Sequence, residues 1–82
     1  MKMNQILSNV NEKNCNGRLS RLYKMRDDTS ISIDNAIERA NTIQENYFSK
    51  QYDEICKAIN KLCEYRNSHD CLLEGDPGYE EF

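Results

Sequence analysis

The positions of glycine and proline constrain this chain more than any other feature. Gly17 precedes a stretch from 18 to 74 that contains neither residue type, and Gly75, Pro77 and Gly78 follow it. Gly and Pro most often interrupt regular structure, so a long stretch without them favours helix. A chain of 82 residues has room for one domain with a modest core. We therefore predict an all-α fold, with a small helical bundle over residues 1–74 and an acidic, flexible tail over 75–82.

The spacing of apolar residues divides the predicted bundle into two short N-terminal helices and a longer helical hairpin. The first short helix carries Met3, Ile6, Leu7 and Val10 on one face. The second covers residues 18–26 with Leu19, Leu22 and Tyr23 on one face, and a polar loop over residues 27–30 follows it. Ser32 is a good N-cap for the next helix, because its side chain can accept a hydrogen bond from a free backbone N–H.

An apolar stripe defines the predicted hairpin over residues 33–66. Its first part consists of Ile33, Ala36, Ile37, Ala40, Ile43 and Tyr47. Its second part consists of Tyr52, Ile55, Cys56, Ile59, Leu62 and Cys63. The apolar face shifts near residue 48, and Ser49 can cap a new helix, so we expect the chain to bend there. The alternative is one continuous helix of about 50 Å.

Aromatic and acidic residues supply the predicted contact surface for a partner. Tyr47, Phe48 and Tyr52 surround the expected bend, and aromatic side chains are favoured anchors in protein interfaces. The acidic tail adds a second candidate segment, because residues 67–82 carry a net charge of −5 whereas residues 1–30 carry +3. The tail residues predicted to bind a partner are Tyr79, Glu80 and Glu81.

The sequence contains no recognisable catalytic or metal-binding motif. Its only histidine, His69, begins the polar tail, and no Gly-rich phosphate loop is present. Cys56, Cys63, His69 and Cys71 are ligand types that zinc prefers, but their spacing differs from the close pairs of structural zinc sites. We therefore expect a non-enzymatic protein without a cofactor, in which Cys56 and Cys63 pack in the core.

A basic segment and two later helical segments suggest an alternative function. Residues 18–26, followed by 32–41 and 47–50, resemble the repressor-type helix-turn-helix domain. The resemblance implies a DNA-binding regulator whose turn lies at residues 41–42. The chain departs from the pattern because the turn glycine is absent and Glu45 lies in the recognition segment. The residues implied to contact nucleic acid are Arg18, Arg21, Lys24, Gln44 and Lys50.

Two weaker likenesses concern packing and composition. Residues 40–65 are similar to the helical hairpin of tetratricopeptide-like adaptor modules, and the Lys/Asn/Ile/Glu-rich composition resembles small viral inhibitors and regulators from phages and mobile elements. We expect a small regulatory or inhibitory protein that binds a macromolecular partner such as a host protein complex. A structural helical homodimer, adaptor or chaperone is the other alternative. The lack of a signal-peptide pattern and of a long apolar run predicts a cytoplasmic protein with no membrane partner.

Overall fold

Two long helices joined by a short turn form the body of the protein. A computed structural model describes residues 6–81, and within them α1 spans Cys15–Glu38 and α2 spans Thr42–Ser68. All regular secondary structure in that range is helical, which confirms the predicted all-α class. The molecule is elongated, with principal extents of 47 × 20 × 20 Å.

The two helices pack side by side in antiparallel directions, as contacts at both ends show. Near the start of α1, the Cys15 thiol donates a hydrogen bond to the carbonyl of Leu62 near the end of α2, at 3.5 Å. Near the turn, Ala36 and Phe48 line one groove. We call residues 26–54 the turn half, and residues 6–25 together with 55–81 the core half.

The hydrophobic core lies in the core half. Its buried members are Ile6, Cys15, Leu19, Leu22, Ile55, Ala58, Ile59 and Leu62. In α1, the buried residues Cys15, Leu19 and Leu22 are spaced by four and then three residues. The same spacing continues to Arg26 and Thr29. Because these two positions are polar, the apolar seam stops there. Ala36 is the single buried residue of the turn half.

The turn between the helices is formed without glycine. The amide of Asn41 donates to the carbonyl of Ala36 at 2.9 Å, and the amide of Ala40 donates to Ile37 at 3.0 Å. This pair of bonds is the Schellman motif, which requires a left-handed residue directly after the helix. Ala40 takes that conformation with φ of 53°. The Asn41 side chain then caps α2 by accepting from the Gln44 amide at 3.1 Å.

The structure corrects the predicted division into helices. Residues 27–30 form no loop but lie within α1, because residues of modest helix propensity do not break a helix that tertiary packing holds. Ser32 is therefore no N-cap, and its hydroxyl donates to the Asp28 carbonyl one turn earlier at 3.2 Å. The chain turns at residues 39–41, so neither the bend at Ser49 nor one helix over 33–66 is correct.

The segment before α1 covers one side of the core. Ile6 is fully buried, and Leu7 and Val10 pack against the core cluster. Ile6 and Leu7 are helical, but a turn follows at Ser8 and Asn9, so Val10, which was predicted on the first helix, lies beyond its observed end. Met3, which was expected on the same helical face, lies outside the described residues.

The segment after α2 folds back over the start of α1. The Leu72 amide donates to the Glu12 carbonyl at 2.8 Å, and the Glu80 amide donates to the Lys13 carbonyl at 3.0 Å. Gly17 permits this approach, because a side-chain carbon at that position would overlap the Glu80 carbonyl oxygen. The tail thus lies against the helical body. Its flexibility stays a prediction.

Candidate functional site

The three aromatic residues predicted to bind a partner all lie in the first half of α2. Tyr47 is 58% exposed, whereas Phe48 and Tyr52 are half-buried. The rings of Tyr47 and Phe48 meet edge to face, with centroids 5.3 Å apart. The Gln51 side chain donates a hydrogen bond to the Tyr47 hydroxyl at 2.8 Å. Tyr47 and Phe48 therefore form one aromatic unit near the turn, as an interface anchor would require.

A groove of about 200 Å³ lies beside this aromatic unit, between α1 and α2. Phe48 and Ala36 form its apolar floor. Its other lining residues are Ser32, Asn35, Arg39 and Gln44. Ile43 lies one helical turn before Tyr47 on the same side of α2. Its side chain is 84% exposed, which is unusual for isoleucine. We call Ala36, Ile43, Tyr47 and Phe48 the turn-half surface.

The turn half also carries an excess of negative charge. Its cations are Arg26, Arg39 and Lys50, and its acids are Asp27, Asp28, Asp34, Glu38, Glu45, Asp53 and Glu54, which gives a net charge of −4. Every one of these acids except Glu45 is exposed. Arg26 lies 3.7 Å from the Asp27 carboxylate. None of these acids lines the groove, whose one ionised lining residue among the described residues is Arg39.

The tail residues predicted to bind a partner lie at the other end of the molecule. Glu80 contacts the first turn of α1 near Gly17, whereas the turn-half surface includes Ala36 on the same helix. At the rise of about 1.5 Å per residue of an α-helix, Gly17 and Ala36 lie about 29 Å apart along α1. The structure therefore separates Tyr79, Glu80 and Glu81 from the aromatic residues of α2.

The acidic tail faces basic residues of α1 across a second groove. This groove has a volume of about 330 Å³. α1 contributes Arg21 and Lys24, and the tail contributes Glu74 and Glu81, with Tyr79 beside them. The charge asymmetry of the sequence therefore brings opposite charges together within one chain instead of creating two separate surfaces.

The residues implied to contact nucleic acid do not form one surface. Arg18 is buried, and its guanidinium donates hydrogen bonds to the carbonyls of Ile6, at 2.8 Å, and Ser8. Arg21 and Lys24 line a groove together with the tail acids Glu74 and Glu81. The other two residues, Gln44 and Lys50, belong to the turn half. The turn implied at residues 41–42 overlaps the observed turn at Asn41, but the helices on either side are long and antiparallel instead of short and crossed.

All four cysteines lie within the core half, and all four are free thiols. Burial, and then a hydrogen bond with the Cys71 thiol, raises the pKa of Cys15 to about 12. Cys63 lies 3.8 Å from the Tyr23 hydroxyl, and this contact together with burial raises the pKa of Tyr23. Cys63 therefore packs against the core, as predicted, and Cys56 is half-buried.

The zinc-ligand candidates are not arranged as a metal site. Within residues 6–81, no group of three or more His, Cys, Asp or Glu side chains is placed to hold a metal ion. The ring of His69 stacks on Tyr65 instead, with centroids 4.0 Å apart, and its Nδ1 lies 3.0 Å from the Tyr65 carbonyl.

Sequence reasoning missed one member of the turn-half surface, Ile43. It was assigned to an apolar stripe on one continuous helix that also contained Ala36, Ala40 and Tyr47, and of that stripe Ala36 is buried as expected. The turn at residues 39–41 interrupts that stripe and leaves Ile43 exposed. The signal that could have revealed it is Asn41 three residues before Gln44, a good N-cap position.

Neither α1 nor α2 combines the length and the hydrophobicity that a helix needs to cross a membrane, and the same holds across residues 6–81. Comparison of the chain with known protein families, curated proteins and solved structures finds no match.

Proposed function

We propose that this chain is a small non-enzymatic regulatory or inhibitory protein that acts by binding a protein partner through its turn-half surface. The observation that carries the proposal is the contrast between the two halves of the hairpin. The core half buries a complete apolar cluster, whereas the turn half buries only Ala36 and leaves Ile43 and Tyr47 exposed. Contiguous exposed apolar residues beside an aromatic anchor are typical of interaction sites.

The overall dimensions support the same proposal. A compact monomer of 9.6 kDa exposes about 5,100 Å², whereas this chain exposes 5817 Å². Its radius of gyration is 14.7 Å, compared with about 12 Å for a compact chain of 82 residues. The elongated hairpin therefore leaves roughly 700 Å² more surface available to a partner than a compact monomer would.

The proposed action requires no chemistry from the chain itself. A hairpin of this length covers a surface on its partner and thereby blocks whatever normally binds there. The free thiols of all four cysteines support a reducing compartment, and we place the protein in the cytoplasm on that basis.

Capture of partners by the tagged full-length chain tests this proposal. The test variant is Ile43→Gln with Tyr47→Gln, which removes exposed apolar area while keeping good helix propensity. The matched control is Leu73→Gln, because Leu73 is 64% exposed but lies in the core half. Circular dichroism first establishes that the helix content of both variants is unchanged.

We expect the wild-type chain and the Leu73→Gln control to capture the same proteins from native cells, and the double variant to lose at least one of them. Recovery of the same proteins in equal amounts with all three chains would show that the turn-half surface is not the binding site.

A further inference from the structure

We infer that Cys15 and Cys71 form a redox-active dithiol, which a hydroperoxide converts into an intramolecular disulfide. This inference goes beyond the proposed function and does not depend on the identity of a partner. Cys15 begins α1, and Cys71 lies in the segment that returns from the end of α2. A bond between them would fasten the returning segment to the start of α1.

Hydrogen bonds on either side of Cys15 hold Cys71 against the start of α1. The Leu72 amide donates to the Glu12 carbonyl at 2.8 Å, and the Asn16 side chain donates to the Leu72 carbonyl at 2.9 Å. Leu72 directly follows Cys71, and Glu12 and Asn16 lie on the two sides of Cys15 in the sequence. The fold therefore fixes the relative position of the two cysteines through contacts that do not involve sulfur.

The two thiols meet at the core cluster. Cys15 is fully buried in that cluster, and Cys71 packs against it. Their side chains are hydrogen-bonded to each other. A disulfide requires two cysteines on neighbouring segments whose side chains point towards each other, and this contact meets that requirement. The Cys15 thiol also donates to the Leu62 carbonyl at 3.5 Å, a bond that disulfide formation would remove.

Cys63 is the rival partner for Cys15, because it also packs against the core cluster. Its sulfur lies 3.8 Å from the Tyr23 hydroxyl, and the Arg66 guanidinium donates to it at 3.9 Å. The hydrogen bonds around Cys15 instead hold the neighbour of Cys71. We therefore assign the disulfide to Cys15 and Cys71.

Burial determines which of the two thiols reacts first. Burial, and then the hydrogen bond with Cys71, raises the pKa of Cys15 to about 12, so this thiol stays protonated near neutral pH. Cys71 is half-buried and is the thiol that a small hydroperoxide reaches. Cys71 is therefore oxidised first, and Cys15 then forms the disulfide with it.

The reaction takes place in two steps. The Cys71 sulfur attacks one peroxide oxygen, the O–O bond breaks, and the departing oxygen takes the Cys71 proton to leave as an alcohol, or as water from hydrogen peroxide. Cys71 is then a sulfenic acid. The Cys15 sulfur attacks the Cys71 sulfur, the S–O bond breaks, and the leaving hydroxide takes the Cys15 proton as water. The two thiols together lose two electrons, which the hydroperoxide accepts.

The disulfide would make the attachment of the returning segment depend on redox state. In the reduced protein, hydrogen bonds such as that from Leu72 to Glu12 hold this segment on the helical body. In the oxidised protein, a covalent bond would close a loop that contains both helices, which restricts the unfolded chain. A reducing thiol reverses the reaction, as expected of a redox-responsive disulfide in the proposed cytoplasmic location.

Treatment of the reduced full-length protein with hydrogen peroxide tests the inference. Mass spectrometry of the intact chain measures the loss of two hydrogens, about 2 Da, and peptide mapping without reduction identifies the linked cysteines. The test variants are Cys71→Ala and Cys15→Ala. Cys56→Ala is the matched control, and Cys63→Ala removes the rival partner. Circular dichroism before oxidation establishes the helix content of each variant.

We expect the wild type, Cys56→Ala and Cys63→Ala to lose about 2 Da and to yield a peptide that links Cys15 to Cys71. Cys71→Ala should form no intramolecular disulfide. Cys15→Ala should accumulate a Cys71 sulfenic acid that dimedone traps. In the oxidised wild type, the Leu72 amide should exchange at least about tenfold more slowly, and dithiothreitol should restore the original rate.

A peptide that links Cys15 to Cys63, a disulfide between two chains, or an unchanged mass in the wild type would overturn the inference. Loss of the same mass in Cys71→Ala would also overturn it. If Cys15→Ala loses its helices, the peptide map of the wild type and the half-buried Cys71→Ala variant decide the question.

Discussion

Arg18 illustrates how burial changes the role of a charged side chain. Its place in a basic segment suggested a phosphate contact, but its guanidinium donates to the carbonyls of Ile6 and Ser8 inside the protein. Hydrogen bonds from a charged donor to buried carbonyls each contribute about 1.5–3 kcal/mol. Arg18 therefore fixes the segment before α1 to the helical body.

Cys15 gives the stability of the protein a pH dependence. Burial, followed by a hydrogen bond with Cys71, raises its pKa from 9.0 to about 12. Unfolding restores the ordinary value, so between these values the unfolded chain releases a proton that the folded chain retains. The protonated Cys15 thiol contributes its full share of the folding stability below pH 9. As the pH rises from 9 towards 12, the free energy of unfolding decreases by up to about 1.4 kcal/mol per pH unit.

Urea unfolding of the reduced protein at several alkaline pH values measures this effect. Cys15→Ala should show a shallower decrease of unfolding free energy with pH, and Cys56→Ala should keep the wild-type decrease. Tyrosines ionise in the same range, so the difference between the variants and wild type is the relevant quantity. If the free energy of unfolding decreased equally with pH in the wild type, Cys15→Ala and Cys56→Ala, Cys15 would not be the source of this pH dependence.

The turn between α1 and α2 contains a residue in a conformation that suits glycine better. Ala40 has φ of 53°, and an L-residue with a Cβ pays about 1 kcal/mol in that region. Ala40→Gly should therefore raise the free energy of unfolding by up to about 1 kcal/mol. Asn41→Ala should lower it by a similar amount, because the cap on the Gln44 amide is lost. Thermal and urea unfolding measure both changes, and destabilisation by Ala40→Gly would contradict the described turn.

The attachment of the tail to α1 depends on Gly17. A Cβ at this position would overlap the Glu80 carbonyl oxygen, so Gly17→Ala should displace the tail. Alanine also favours the helix by about 1 kcal/mol, so α1 itself should not be weakened. Hydrogen exchange at the Glu80 amide, which donates to Lys13, reports the displacement.

Exchange at that amide should accelerate by about tenfold in Gly17→Ala while the core amides stay protected. Ser20→Ala is the control, because Ser20 lines the same groove one turn further along α1. Unchanged exchange at Glu80 in Gly17→Ala would mean that the tail does not pack on this glycine.

At the scale of these elements, the sequence predicted the helical class and the core positions but not the position of the turn. The long stretch without Gly or Pro correctly indicated helix, and Ile6, Leu19, Leu22, Ile55, Ile59 and Leu62 fell on apolar faces. The turn was misplaced because Ala40, a strong helix former, takes a left-handed conformation that local propensity does not predict. Hydrogen bonds to Ala36 and Ile37 stabilise it instead.

The misplaced turn explains why the candidate surface was only partly predicted. Tyr47 and Phe48 were expected at a bend and lie just after the true turn. Ile43 was expected in a buried stripe, which required α1 to continue through Ala40. The contact between the tail and Gly17 joins residues more than sixty positions apart and has no local sequence signal.

The whole molecule is an asymmetric hairpin with a packed half and an exposed half. The core half holds the buried cluster, the returning tail and the segment before α1. The turn half holds four of the five large apolar side chains that are exposed in the described residues, and a net charge of −4. This division means that variants of the turn-half surface should alter binding while leaving the main source of stability intact.

The isoleucines report on both halves in one experiment. Ile43 belongs to the turn-half surface, whereas Ile6, Ile55 and Ile59 belong to the core. Methyl NMR of isoleucine-labelled protein, titrated with a protein partner recovered in the capture experiment, therefore tests the central claim most directly. We predict that the Ile43 methyl shifts or broadens in proportion to bound partner while the three core methyls do not move. Shifts at the core methyls with none at Ile43 would contradict binding through the turn half.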